Sequence, residues 1–294
     1  MKEIVFAGSG VAIVTPFTEN GVDFEALSEL CEFQIANGTD AIVVAGTTGE
    51  ASTMPDEEHV AVIRHVVETV ARRVPVIAGT GSNDTAHGVH LSQMAQKAGA
   101  DALLSCAPYY NKTSQRGLVK HFTAYAAAVD LPIILYNVPS RTNMNIDPET
   151  YYALSRIDNI VGTKECNMGQ VADVVSLCGD DLIQYTGEDG MVLPCLSFGG
   201  KGVNSVMANV IPAETHEMVA SYLAGNVARA TELQIWAVPL IKALFSDVNP
   251  IPVKAALNLC GFRVGSCRLP LCDMDDVSLQ KLGQVLRNFN LLAE

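Results

Sequence analysis

The sequence predicts a (β/α)8 TIM barrel followed by a C-terminal helical extension, and three observations support this fold class. Short runs of branched apolar residues alternate with stretches of helical periodicity, and repeated strand–helix units imply a parallel sheet with right-handed crossovers. Eight such units are present, the number that closes a barrel. No G-x-G-x-x-G follows the first strand, which disfavours the alternative, a doubly wound open sheet. We therefore expect a barrel over residues 1–224 and a helical domain over residues 225–294.

Each predicted element rests on a local pattern. Asp23 is a typical helix-capping residue, and Gly38 stops the first helix; Pro55 and the three acidic residues after it begin the second. The predicted strands are residues 11–16, 41–45, 74–78, 102–106, 132–136, 160–164, 182–185 and 202–206. The later helices of the barrel are predicted at 85–98, 115–129, 148–155, 169–177 and 191–198. Only helices are predicted in the tail, at 213–223, 227–245, 253–259 and 277–292.

Composition narrows the class of protein. A formal net charge of −13 argues against binding nucleic acid or an anionic membrane through general electrostatics. No apolar run approaches the length of a membrane span, and the apolar start at residues 11–14 is too short for a signal peptide. The eight cysteines form no C-x-x-C pair. We expect a reduced, cytoplasmic protein with free thiols.

Lys164 is the most informative single residue, because it closes a strand that should be almost continuously apolar. It could mark the point where the strand leaves the core, with its ammonium group in water. Alternatively, it lies desolvated at the bottom of a pocket. Its pKa would then be lowered enough for the amine to attack a carbonyl and form a Schiff base.

Other polar residues follow the strands whose C-terminal ends should meet at one face of a barrel. They are Thr47 and Thr48 in a glycine-bounded turn, Tyr109, Tyr110, Tyr136 and Arg141. Each has an ordinary alternative: a tight turn, interface aromatics, or an arginine that pairs with a surface carboxylate. Together they suit Schiff-base chemistry, because hydroxyls can relay protons and an arginine can grip a carboxylate. No metal-ligand spacing and no phosphate loop is present, so no metal and no cofactor are expected.

These motifs closely resemble the 4-hydroxy-tetrahydrodipicolinate synthase (dihydrodipicolinate synthase) family of the class I pyruvate-dependent aldolase superfamily. They are GTTGE at 46–50, PYYN at 108–111, YNVPSRT at 136–142, KE at 164–165, NPIPVK at 249–254 and RLP at 268–270. The resemblance implies a lyase that condenses pyruvate with L-aspartate-4-semialdehyde, in diaminopimelate and lysine biosynthesis. It also implies a homotetramer, a dimer of dimers.

The resemblance implies a role for each residue. Lys164 would form the pyruvate Schiff base, while Thr47, Tyr136 and Tyr110 would relay protons, with Tyr110 reaching in from a neighbouring subunit. Thr48 would hold the pyruvate carboxylate, and Arg141 the carboxylate of the semialdehyde.

The sequence departs from the family pattern in three places. Asn204, expected beside the pyruvate pocket, stands where the family usually has an apolar residue. Cys166 begins a segment that replaces a run of small residues after the lysine, and we expect it to serve packing. The third departure lies at the site where some members bind inhibitory lysine: His87 replaces the usual carboxylate and Asp56 a frequent histidine. The matching positions are Ala51, Ser52, Asp56, His59, Asn83, His87 and Tyr109, and we expect weak inhibition.

Two other functions remain open at this point. A sister aldolase such as N-acetylneuraminate lyase shares the barrel and the lysine, but typically has Ser-Thr or similar in place of Thr47-Thr48. A non-catalytic ligand-binding barrel would be expected to lose the lysine or one of the hydroxyls, and this chain has lost neither.

Overall fold

The computed structural model describes residues 2–292 and contains a closed barrel of eight parallel strands. Each strand pairs with the next along the chain, and the last pairs with the first, so the predicted (β/α)8 architecture is confirmed. The strands are β1 Gly8–Ala12, β2 Ala41–Val44, β3 Val76–Gly79, β4 Ala102–Cys106, β5 Ile133–Asn137, β6 Ile160–Glu165, β7 Ile183–Thr186 and β8 Gly202–Ser205.

The helices follow the predicted alternation. Those up to the end of β8 are α1 Phe24–Ala36, α2 Asp56–Val70, α3 Thr85–Ala98, α4 Gln115–Ala128, α5 Pro139–Thr142, α6 Pro148–Ser155, α7 Val171–Cys178 and α8 Val192–Ser197. Those after it are α9 Pro212–Leu223, α10 Val227–Leu244, α11 Ile251–Leu259 and α12 Asp276–Asn288. Asp23 caps α1 as predicted, because its side chain accepts a hydrogen bond from the Ala26 amide.

The first strand was predicted wrongly. It runs from Gly8 to Ala12 and not over 11–16, because two glycines hid its beginning. Gly10 sits where a Cβ atom would lie 2.9 Å from the Phe6 ring, so a small residue is required there. The chain after it forms a short hairpin of Phe17–Thr18 with Gly21–Val22 that no pattern predicted.

Several predicted helices differ at their ends. The helix predicted over 169–177 begins as a 3₁₀ turn, Met168–Gln170, and becomes α-helical only at Val171. The last helix was expected to reach residue 292 but ends at Asn288. The four-residue helix α5 was not predicted, since Pro139 was seen only as part of a loop motif.

Alternation along the strands divides the core into two layers. One set of strand side chains packs outward against the helices, and the other fills the barrel interior with residues such as Val43, Ile77 and Tyr185. Tyr136, Lys164 and Tyr185 are direct neighbours on β5, β6 and β7. The interior parity of Lys164 is therefore set by the register of the sheet.

The helical tail packs against the barrel and reaches its mouth. Lys254 of α11 forms an ion pair with Glu50, which follows β2, and both side chains are almost completely buried. A boundary at residue 224 stays a prediction. Among residues 2–292, no helix combines the length and the apolar character that crossing a lipid bilayer requires.

Candidate active site

Lys164 lies second from the end of β6, with 6 % of its surface exposed. Burial lowers the pKa of its amine, and the positive charge of Arg141 acts in the same direction. The negative charges of Asp189 and Glu188 oppose this shift without cancelling it. The structure therefore favours the desolvated-lysine interpretation, in which a larger share of the amine is neutral and able to attack a carbonyl.

Tyr136 lies beside the lysine on the adjacent strand, and the Lys164 Nζ atom is 4.4 Å from the centroid of its ring. Burial raises the pKa of the Tyr136 phenol, which stays protonated at neutral pH. The neighbouring Thr47 side chain lowers this pKa in part. Two members of the predicted relay are thus in contact within one chain.

Thr48 and Arg141 are connected through the helical tail. The Asn249 side-chain amide donates a hydrogen bond of 2.9 Å to the Thr48 hydroxyl. Arg141 donates one of 3.0 Å to the main-chain oxygen of the same asparagine. The two predicted carboxylate-binding residues are therefore brought together by a third residue, more than 100 positions away in sequence.

A cavity of about 540 Å³ opens at the C-terminal ends of the strands. Thr47, Tyr136 and Arg141 line it, together with apolar residues such as Leu104 and Val138. Lys164 is not among the lining residues and lies against Tyr136. The size and mixed lining suit a small polar ligand.

Asn204 is fully buried in β8, paired in register with Gly10 on β1. Neither its side-chain oxygen nor its side-chain nitrogen has a hydrogen-bond partner in residues 2–292. Leaving a buried amide unpaired costs on the order of 1–3 kcal/mol per group. Such an amide requires a partner from outside the chain, either an ordered water or a ligand.

Tyr110 does not join the other site residues within this chain. Its side chain is 91 % exposed, and its backbone has φ 66°. A bulky residue in this left-handed region is uncommon. Tyr109 is 36 % exposed and lines the cavity.

Cys166 follows the end of β6 and lies close to the lysine. Burial raises the pKa of its thiol to about 12, so it is a protonated thiol at neutral pH. A Cβ atom at Gly187 would lie 2.5 Å from the Cys166 sulfur and 2.7 Å from the Lys164 Cε atom. A glycine is thus required at position 187, because any side chain there would collide with those of Cys166 and Lys164.

Sequence reasoning missed two buried polar residues of the site. Asp189 accepts hydrogen bonds from the Val206 and Met207 amides. Burial raises the pKa of its carboxyl to about 6, and the charge of Lys164 counteracts the rise. Asn249 was noticed only as part of a motif, and no local signal indicated its contact with Thr48.

Glu165, the neighbour of the lysine, points away from the barrel interior into a polar network. Its carboxylate accepts hydrogen bonds from Asn137, Asn167, Gln170 and Tyr151, at 2.7–3.0 Å. This network fixes the end of β6 and hence the backbone that carries Lys164.

The positions that match the lysine-inhibition site of the family form a second part of the cavity. Ala51, Ser52, His59 and Tyr109 line it, and Asp56 lies 2.9 Å from the His87 Nε2 atom. Asn83, the remaining matching position, instead lines a neighbouring pocket of about 410 Å³. The carboxylate of Asp56 therefore already has a partner within the chain.

A closed (β/α)8 barrel with a desolvated lysine at the end of its sixth strand is typical of aldolases and lyases that act through a Schiff base. The chain belongs to the Dihydrodipicolinate synthetase family, whose model matches residues 5–289.

Individual relatives agree over the whole chain. The chain is 57 % identical over 292 residues to 4-hydroxy-tetrahydrodipicolinate synthase of Acetivibrio thermocellus, covering 99 % of this chain and 100 % of that one. The crystal structure of dihydrodipicolinate synthase from Aquifex aeolicus has a TM-score of 0.95 at 45 % identity, covering 98 % and 100 % of the two chains. The chloride-inhibited enzyme from Acinetobacter baumannii, complexed with pyruvate, has a TM-score of 0.95 at 39 % identity, covering 97 % and 99 %.

Proposed function

We propose that this protein is a 4-hydroxy-tetrahydrodipicolinate synthase, which condenses pyruvate with L-aspartate-4-semialdehyde in the biosynthesis of diaminopimelate and lysine. The observation that carries the proposal is Lys164, desolvated beside Tyr136 at the mouth of a barrel of this family. The relatives support the choice of substrates, since they bear this enzyme name at up to 57 % identity and one solved relative is complexed with pyruvate.

The reaction begins at the neutral amine of Lys164. Its lone pair attacks C2 of pyruvate and gives a carbinolamine, which loses water to form the iminium. Loss of a C3 proton yields the enamine, whose C3 attacks the aldehyde carbon of the semialdehyde. The amino group of the second substrate then attacks C2, closes the ring and releases the lysine.

The hydroxyls of Tyr136 and Thr47 move protons in these steps. Burial raises the pKa of the Tyr136 phenol and keeps it neutral, so the two hydroxyls can pass a proton without burying a charge. Thr48 holds the carboxylate of pyruvate, and Arg141 the carboxylate of the semialdehyde. The unpaired amide of Asn204 supports a contact with the substrate bound at Lys164.

The third relay hydroxyl, that of Tyr110, comes from a neighbouring subunit of a homotetramer arranged as a dimer of dimers. Its exposure and its left-handed backbone conformation support this assignment, because both are costly unless a partner surrounds the side chain. We also place the protein in the cytoplasm, in agreement with cysteines that are all free in the structure.

Trapping the imine tests the proposal directly. Incubation with pyruvate and sodium borohydride should add one reduced pyruvyl group to the peptide that contains Lys164. The adduct should be absent from Lys164→Arg and present in the control Lys97→Arg, whose lysine is exposed on α3. An adduct elsewhere, or none, would contradict the mechanism.

A coupled assay separates the synthase from its sister lyase. The pure protein should turn over pyruvate with aspartate semialdehyde and should not cleave N-acetylneuraminate. Cleavage of the sugar acid without condensation would assign the chain to the lyase function.

A further inference from the structure

Asn249 lies between the two predicted carboxylate-binding residues, Thr48 and Arg141, although it belongs to the helical tail and not to the barrel. It precedes α11 in the helical tail and is 7 % exposed. Its side-chain amide donates to Thr48, and its main-chain oxygen accepts from Arg141. One residue of the tail is therefore hydrogen-bonded to both barrel residues that are predicted to bind substrate carboxylates.

The hydrogen bond between Asn249 and Thr48 has a defined donor and a defined acceptor. An amide nitrogen can only donate, so the Thr48 oxygen is the acceptor in this hydrogen bond of 2.9 Å. The hydroxyl proton of Thr48 remains free for another acceptor, and across residues 2–292 it makes no other hydrogen bond. A carboxylate only accepts, so it is the partner that this hydroxyl is prepared to bind.

The tail segment is itself firmly held. Lys254 of α11, one turn beyond Asn249, donates to Glu50 at 2.8 Å and to the main-chain oxygens of Thr15 and Ser266. Glu50 ends the loop of residues 46–50 that also carries Thr48. The tail thus holds this loop at two points, through Lys254 at Glu50 and through Asn249 at Thr48. The contact at Thr48 sets the orientation of its hydroxyl.

We propose that Asn249 is a positioning residue that keeps the Thr48 hydroxyl in the role of hydrogen-bond donor to the carboxylate of pyruvate. This inference rests on the proposed function of the site. With its amide turned over, Asn249 would instead accept the Thr48 proton. That arrangement would leave the buried NH₂ group without an acceptor, while the present one leaves the buried Asn249 Oδ1 atom without a donor in residues 2–292. The direction of this bond is therefore what the Asn249→Asp variant tests.

A double-mutant cycle tests whether Asn249 acts through Thr48. Asn249→Ala and Thr48→Val should each raise the KM for pyruvate by about tenfold or more, as expected for the loss of one hydrogen bond to a charged group. The double variant should show no larger increase than the stronger single variant, because both changes remove the same interaction. The KM for the semialdehyde should change much less, because the contact with Arg141 uses main-chain oxygen.

Asn249→Asp tests the direction of the bond in a variant of nearly equal shape. The aspartate offers only acceptors, would take the Thr48 proton, and should raise the KM for pyruvate at least as much as Asn249→Ala. Asn226→Asp is the matched control: it adds the same charge to the tail and keeps an acceptor for the Arg229 amide at the start of α10. Its KM values should equal those of the wild type.

Three results would overturn the proposal. The first is a double variant whose KM for pyruvate rises by the product of the two single fold-increases, and the second is Asn249→Asp with the KM of the wild type. A purely structural role would instead change kcat and both KM values together and lower the melting temperature, which also contradicts it. Failure of the wild-type protein to condense the two substrates would refute the proposed function itself, a separate outcome.

Discussion

The buried ion pair between Lys254 and Glu50 allows a quantitative prediction of stability. The two side chains are 2 % and 1 % exposed, and their charged atoms are 2.8 Å apart. Lys254→Met keeps the length of the side chain but removes the charge and three hydrogen bonds. Within residues 2–292, the Glu50 carboxylate would then keep only the hydrogen bond from the Arg268 amide.

The size of the effect follows from the carboxylate that is left behind. Removing one partner of a buried pair costs about 3–5 kcal/mol, since the remaining charge is desolvated without compensation. For a chain of 294 residues, about 2 °C per kcal/mol gives a melting temperature lower by roughly 6–10 °C.

Thermal unfolding followed by circular dichroism, at one protein concentration, would measure this shift. Lys254→Met/Glu50→Gln should recover at least half of the loss, because the uncompensated charge is gone and Gln still accepts from Arg268. Arg229→Met is the control, since its pair with Glu217 is exposed to solvent and should leave the midpoint nearly unchanged. A shift below about 2 °C for Lys254→Met, or no recovery in the double variant, would refute the reasoning.

Four further predictions concern the reaction and its regulation. Arg141→Ala should mainly raise the KM for the semialdehyde, as the loss of a charge-assisted contact costs on the order of a few kcal/mol; a change in the pyruvate KM alone would contradict that assignment. Tyr136→Phe should instead lower kcat by about 10²-fold or more, measured in the same assay, and unchanged turnover would remove Tyr136 from the relay. Because the Tyr110 hydroxyl is proposed to come from a neighbouring subunit, dissociation of the oligomer should abolish activity. Sedimentation at assay concentration can check this, and a fully active monomer would disprove the role of Tyr110. Millimolar L-lysine should inhibit weakly, because His87 supplies no carboxylate and Asp56 is already paired with it. Steep inhibition below 1 mM that Asp56→Ala abolishes would show that Asp56 binds the inhibitor.

The fold was predictable because its information is local. Alternating strands and helices indicate a parallel sheet, and their number closes it. The errors were confined to the ends of elements, the hairpin after β1 and the four-residue helix α5. The first strand was misplaced because Gly8 and Gly10 carry no strand signal, although the barrel interior requires a small residue at Gly10.

The positions of the site residues were partly predictable for the same reason. Residues that end parallel strands of a barrel meet at one face, so Lys164, Tyr136 and Thr47 could be grouped from sequence. That grouping could not show how far the lysine is desolvated, because burial is contributed by all the strands together. Nor could it show that Tyr110 points into solvent in the single chain.

The sequence by itself therefore determined the barrel, its order of elements and the face on which the polar residues meet. Only the tertiary structure decided how those residues are held. Asn249 reaches Thr48 across 201 positions, and Lys254 reaches Glu50 across 204. Such contacts leave no periodic trace in the chain, since they depend on where the tail helices pack and not on local propensity. For the same reason, the sequence could not show that both polar side-chain atoms of Asn204 are unpaired. Asn204 on β8 becomes buried only when the barrel closes.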